Sequence, residues 1–182
     1  MTRAFSLIEI IIVIALSTCM MVILGFLIYN FNGTLVSQQK GAESSGSASA
    51  VMNESELFIL SANSVLGSYT FSSSTHTSSS NALVLEIPSI NDVGTIIVNA
   101  YDHVAFYTIG NTAYRIMEAN ASSSRVSGIK QLSSTVSALT FTYDNADIAQ
   151  ASVVTVDVQT RDQVEGNILS DHRHEQVRLR NR

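Results

Sequence analysis

The chain has 182 residues, a net charge of −5 and only 14% charged residues. So few charges, and mostly acidic ones, exclude the overall footprint of a nucleic-acid-wrapping protein, and the length leaves room for one ordinary soluble domain beside a membrane anchor. A single cysteine, Cys19, excludes a disulfide framework.

The first element is an apolar run. Arg3 precedes it, Glu9 sits just inside its leading edge, and no further charge appears until Lys40. From Ile10 to Ile28, about nineteen residues interrupted only by Ser17, Thr18 and Gly25 are enough to cross a bilayer as a helix. A signal peptide has a shorter apolar core followed by a small-residue cleavage site; here Asn30-Phe31-Asn32-Gly33 follows instead. With Arg3 held on the cytoplasmic side, the bulk of the chain lies outside. Cys19 reads as a small apolar packing residue.

A plain anchor leaves Glu9 unexplained, because a carboxylate at that depth is expensive. In hydrocarbon it either neutralises or finds a cation. In a stack of identical helices the nearest cation is a neighbouring subunit's N-terminal amine. Such a pair makes one axial offset better than all others and acts as a register device.

Met1 to Ala4, then Phe5-Ser6-Leu7-Ile8-Glu9 and the uncharged run, resemble the prepilin-type processing motif of type IV pilins and pseudopilins. The resemblance implies a leader at 1–4, cleavage between Ala4 and Phe5 by a membrane-embedded prepilin peptidase, and N-methylation of Phe5. Glu9 then falls at the fifth mature position and takes the assembly and register role. Ala4 departs from the glycine that the family nearly always has before the cut. It is the next smallest side chain, and processing is expected to survive. The resemblance also implies partners: other pilin or pseudopilin subunits through their N-terminal helices, and an inner-membrane assembly platform.

Asn30-Phe31-Asn32-Gly33 is expected to break or kink the helix at the membrane boundary. Residues 34–66 read as a second helical stretch. Val51, Phe58 or Ile59, Ala62 and Leu66 recur at helical spacing and face a sheet, with Glu54 and Glu56 on the other side. Gly41 to Ser47 is a poor helix former and reads equally as a flexible neck; the resemblance favours one long, interrupted helix. The expected division is therefore a leader at 1–4, a transmembrane and assembly helix at 5–31, an amphipathic continuation at 32–67 and a β-rich head at 68–182.

Residues 71–81 form a serine- and threonine-rich connection. From Ala82 the period becomes two. Leu83, Leu85 and Ile87 alternate with Val84 and Glu86, and Pro88 is expected to end the run. A short strand at 95–98 and another at 104–109 follow. Gly110-Asn111 signals a two-residue hairpin into 112–117. Leu139, Phe141 and Tyr143 share one face, residues 144–147 turn, and Val154, Val156 and Val158 alternate with polar residues. A last strand is expected at 175–180. An amphipathic helix followed by antiparallel strands is an α+β layer fold, with the long N-terminal helix packed on the sheet of the head. The strand patterns around 83–88, 104–115, 136–143, 153–158 and 177–181 resemble PilW-type minor pilins and J-type minor pseudopilins of type II secretion. That likeness implies a pilin-like fold and a minor component that helps to start assembly.

Signals for chemistry are few. No Gly-x-Ser-x-Gly elbow, phosphate loop or His-Glu-x-x-His occurs in the chain. Asp102-His103 reads as a surface or edge pair. His172-Arg173-His174 has metal-ligand spacing on a strand, but two ligands beside an arginine favour a solvated loop. Asp144, Asn145 and Asp147 offer oxygen ligands for calcium, yet turn chemistry explains them. Arg173, Arg178, Arg180 and Arg182 suggest either phosphate contacts in a DNA-uptake filament or, preferred, a charge-protected edge strand. No enzyme, cofactor or metal is expected. The leading expectation is a structural subunit, a minor pilin, of a type IV pilus-like or competence filament. It starts as a single-pass inner-membrane protein with its head outside the cytoplasm, then enters an extracytoplasmic filament. A type II secretion pseudopilin and a membrane-anchored monomeric binding domain are the alternatives.

Overall fold

The computed structural model describes residues 6–164 and 167–180. It divides into two compact units, Met1–Lys40 and Gly41–Arg182. One helix, α1 (Leu7–Ser61), runs through the first and opens the second. The expected break at Asn30–Gly33 does not occur. Asn30 Nδ2 donates to the Phe26 carbonyl at 2.8 Å and Thr34 Oγ1 donates to the Asn30 carbonyl at 3.0 Å. Side chains able to compete with the helix bond back onto it instead, and an interior glycine costs only about 1 kcal/mol.

The helix ends at Ser61, short of the expected Leu66. Beyond it the chain finds better partners in a strand. The Asn63 N–H donates to the Glu86 carbonyl at 2.8 Å and the Leu66 N–H to the Val84 carbonyl at 2.9 Å. Ser64–Val65 (β1) is thereby paired with Ala82–Ile90 (β4). Between them, Ser68–Thr70 (β2) and Thr75–Thr77 (β3) form a small hairpin, and β3 lies inside the 71–81 stretch expected to be a plain connection.

The remaining strands are Ile96–Ile109 (β5), Thr112–Glu118 (β6), Gly128–Ser133 (β7), Val136–Tyr143 (β8), Val153–Val164 (β9) and Asn167–Arg178 (β10). They make a five-stranded antiparallel sheet in the order β1-β4-β5-β6-β7 and a three-stranded one in the order β10-β9-β8. Three boundaries differ from expectation. Pro88 lies inside β4, opposite Tyr101; β1 pairs only with Leu85 and Glu86, so the missing N–H falls where no β1 partner asks for one. The strands expected at 95–98 and 104–109 are one strand, carried through Asn99, which takes a left-handed φ of 59°. The β10 strand begins well before Glu175 and includes His172-Arg173-His174, which is therefore no loop. The Gly110-Asn111 hairpin is present, with Ile109 opposite Thr112 and Gly110 at φ +58°. Only the first central residue needs positive φ, as in a II′ turn.

The architecture is α+β, with the long helix packed against antiparallel sheets. In the second unit Ala48, Val51, Phe58 and Ile59 of α1 share one buried cluster with residues of both sheets. These include Leu83, Leu85 and Ile87 of β4, Phe106 of β5, Phe141 of β8, and Val154, Val156 and Val158 of β9. A second cluster, Phe71, Val84, Ala105 and Ile116, lies on the opposite face of the five-stranded sheet. This explains why Val84 is buried although it alternates with core residues. The Tyr143 hydroxyl donates to the carbonyls of Ser79 and Ala82 at 3.1 Å each, tying β8 to the start of β4. Burial pushes its pKa up to about 12.

Candidate functional site

The residues of the expected processing site, Ala4 and Phe5, lie outside the described residues. Glu9 sits in the first turn of α1, and its carboxylate is occupied locally. Oε2 accepts from the Ser6 N–H at 2.8 Å and from Ser6 Oγ at 3.1 Å, while the Glu9 N–H donates back to Ser6 Oγ at 3.3 Å. This is a capping box: a serine N-cap and a glutamate three residues on satisfy each other's orphan donors. The Ser-x-x-Glu spacing carried that signal in the sequence, where the reading of Glu9 as a register residue overlooked it.

Around Glu9 the helix is apolar on every side. Leu7 is 79% exposed, Ile10 50% and Val22 73%, and α1 carries no charge between Glu9 and Lys40. The helix is long and apolar enough to cross a membrane. Thr18 Oγ1 accommodates itself by donating to the carbonyls of Ile14 and Ala15, both at 2.9 Å. Cys19 is exposed on the same stretch. A soluble protein rarely leaves so much contiguous apolar surface uncovered; such a surface marks a membrane or protein contact.

In the head, the other singled-out residues separate. Asp102 and His103 are neighbours on β5 and therefore point to opposite faces, so they are not a pair. Asp102 is fully buried. Its Oδ1 accepts from Ser89 Oγ at 2.7 Å and the Asn120 N–H at 2.8 Å; its Oδ2 accepts from Ser123 Oγ at 2.8 Å and Arg125 Nη1 at 2.7 Å. Burial pushes its pKa up, but these hydrogen bonds together outweigh burial and hold the carboxyl below its ordinary value. The group clasps residues 119–127 over β4 and β5. His103 instead stacks on Tyr69, with ring centroids 3.8 Å apart, and His76 packs on Tyr107 at 4.3 Å. Burial lowers the pKa of both histidines; for His103 it prevails over the opposing pull of Glu86, Glu118 and Asp102.

Glu54 does not face away from the sheet as expected. It is paired with Arg115 of β6 and, at 3.0 Å, with Lys130 of β7, and the Arg115 guanidinium lies 5.0 Å over the Phe58 ring. The oxygen groups at 144–147 are engaged in the turn. Asp144 accepts from the Ser152 N–H at 2.9 Å and Ser152 Oγ at 2.6 Å, which hold its pKa down. Asp147 caps the 3-10 turn Ile148–Gln150. Of the arginine tail, Arg173 pairs with Asp171 at 3.1 Å, and Arg178 and Arg180 are exposed. Arg182 lies outside the described residues. The β10 strand is an edge of its sheet.

No protein-family model matches the chain, and neither a curated protein nor a solved structure does.

Proposed function

We propose that this chain is a structural subunit, a minor pilin, of a type IV pilus-like filament. It is not an enzyme; it enters the filament after prepilin peptidase removes residues 1–4, and it then helps to initiate or build it. The observation that carries the reading is Glu9: a lone acid on the first turn of a helix that is otherwise apolar and exposed all round for a membrane's thickness. Before assembly the capping box shelters that carboxylate. On assembly it exchanges Ser6 for the amine of a neighbouring subunit's Phe5, which fixes the stagger between helices. The protein begins as a single-pass inner-membrane protein with its head outside the cytoplasm.

The two roles of Glu9 come apart in one substitution. Glutamine serves in a capping box as well as glutamate does, but it carries no charge for the amine. Glu9→Gln is expected to insert normally and yet fail to enter filaments. Mass spectrometry of the parent chain, with and without active prepilin peptidase, is expected to find a methylated Phe5 at the new N-terminus. Retention of residues 1–4 beside an active peptidase, or normal filament entry by Glu9→Gln, would falsify the reading.

A further inference from the structure

The outer face of the three-stranded sheet carries a side-chain cluster that filament assembly leaves unused. His172 and His174 alternate along β10 and stand on one face, while Arg173 between them stands on the other. Register places His174 opposite Asp157 of β9, and His172 opposite Gln159, one diagonal step from Asp157. Both rings turn to the same carboxylate oxygen: Asp157 Oδ2 is 2.7 Å from His172 Nε2 and 3.4 Å from His174 Nδ1. Arg173, whose charge would repel a cation, is engaged elsewhere, donating to Asp171 and to Ser45 Oγ at 3.1 Å each. The strand geometry thus removes both objections to the His-x-His pair: it adds a third ligand and turns the arginine away.

We propose that His172, His174 and Asp157 bind a borderline divalent metal ion of the zinc class. Two imidazoles and a carboxylate suit such ions, with water completing the coordination. A tetrahedron built on metal–ligand bonds of about 2.0–2.1 Å has an edge of about 3.3–3.4 Å; His174 Nδ1 stands 3.4 Å from Asp157 Oδ2, and His172 Nε2, at 2.7 Å, moves outward to reach that spacing. In this arrangement the donors are closed on one another, and no group of three or more such side chains among the described residues is placed to hold a metal ion as it stands. The ion takes the place of the shared hydrogen bonds, and each ring rotates to meet it. The rings are free to do so, with 57% of the His172 side chain and 58% of the His174 side chain exposed. Asp157 Oδ2 already faces both rings. Gln159 Nε2, 3.5 Å from Oδ1, flanks the carboxylate on its other side. The bound ion ties β10, the edge strand, to β9.

The test is calorimetric titration of zinc chloride into the untagged full-length chain in detergent, with cobalt absorption to read the coordination geometry. One ion per chain is expected, with the intense visible bands of four-coordinate cobalt. His172→Ala, His174→Ala and Asp157→Asn are each expected to weaken binding by more than the roughly 10–100-fold that loss of an outer partner causes. His76→Ala, on the β2–β3 hairpin, is expected to leave it unchanged. These side chains lie at the surface, so circular dichroism of the variants is expected to match the parent. Absence of binding by the parent, or equal binding by the parent and His174→Ala, overturns the proposal, whatever the outcome for filament entry.

Discussion

Two stretches of α1 solve opposite problems with one backbone geometry. Along residues 7–31 the large side chains are bulky and exposed on all sides. Along residues 44–59 a single face is buried, made of Ser44, Ala48, Val51, Met52, Ser55, Phe58 and Ile59. The first stretch needs no tertiary partner to stay helical, since in hydrocarbon every backbone group must be satisfied within the segment. The second contains Gly46 and a run of serines, which are poor helix formers. It is helical because the sheets hold it there. Ser44 Oγ and Thr160 Oγ1 share a buried hydrogen bond at 2.8 Å, Arg173 reaches Ser45, and Glu54 is paired with β6 and β7. The lesson is that continuity of a helix says nothing about what stabilises each turn of it.

The contrast can be broken most directly by the same truncation at both ends. Ile59→Ala, in the fully buried face, is expected to cost about 2–5 kcal/mol of head stability. Ile12→Ala, on the exposed stretch, is expected to leave it unchanged. Urea unfolding in detergent, followed by tyrosine fluorescence, reads both. Equal effects would mean that the two units do not unfold separately.

A charge probes the other side of the comparison. Leu16→Arg is expected to raise the cost of membrane insertion by about 3 kcal/mol without touching the head. Carbonate extraction from membranes would show the variant released where the parent is retained.

Within the head, Asp102→Ala leaves the Asn120 N–H and the hydroxyls of Ser89 and Ser123 without their acceptor. A loss of roughly 1–3 kcal/mol is expected, with hydrogen exchange rising first in residues 119–127. The parent should show the same weakness in acid. The folded pKa of Asp102 lies below the ordinary 3.8, so its contribution is complete above that value and is lost as pH falls through the lowered one.

The smallest expected effect is at the β2–β3 hairpin. Folded His76 and His103 take up protons below the ordinary 6.5, so between the two values the unfolded chain binds more protons. Stability therefore declines modestly as pH falls below 6.5. His103→Gln should flatten part of that slope, read as the pH dependence of thermal unfolding; an unchanged slope would remove His103 from the account.

The legible parts of the sequence were those with a strong period. The apolar run, the alternation in β4, β8 and β9 and the Gly110-Asn111 turn each follow from local chemistry. The illegible parts depended on partners far away in the chain. Gly128 to Ser133 has no two-residue period because β7 is an exposed edge, held by its ladder to β6. Phe71 to Asn81 looks like a linker, yet Phe71 is buried and fixes the hairpin against Val84, Ala105 and Ile116. Asp102 and His103 look like a pair in one dimension and are parted by the pleat.

By itself the sequence determined an apolar helix of membrane length, the isolation of Glu9 in it and an α+β class for the remainder. These are matters of period, length and charge, which local chemistry sets. Only the tertiary structure decided that the helix ends at Ser61, that the larger strands divide into a five-stranded and a three-stranded sheet beside the β2–β3 hairpin, and that Asp157 meets His172 and His174. Each of those rests on a strand brought alongside from elsewhere in the chain, and register between strands is fixed by the burial of whole faces.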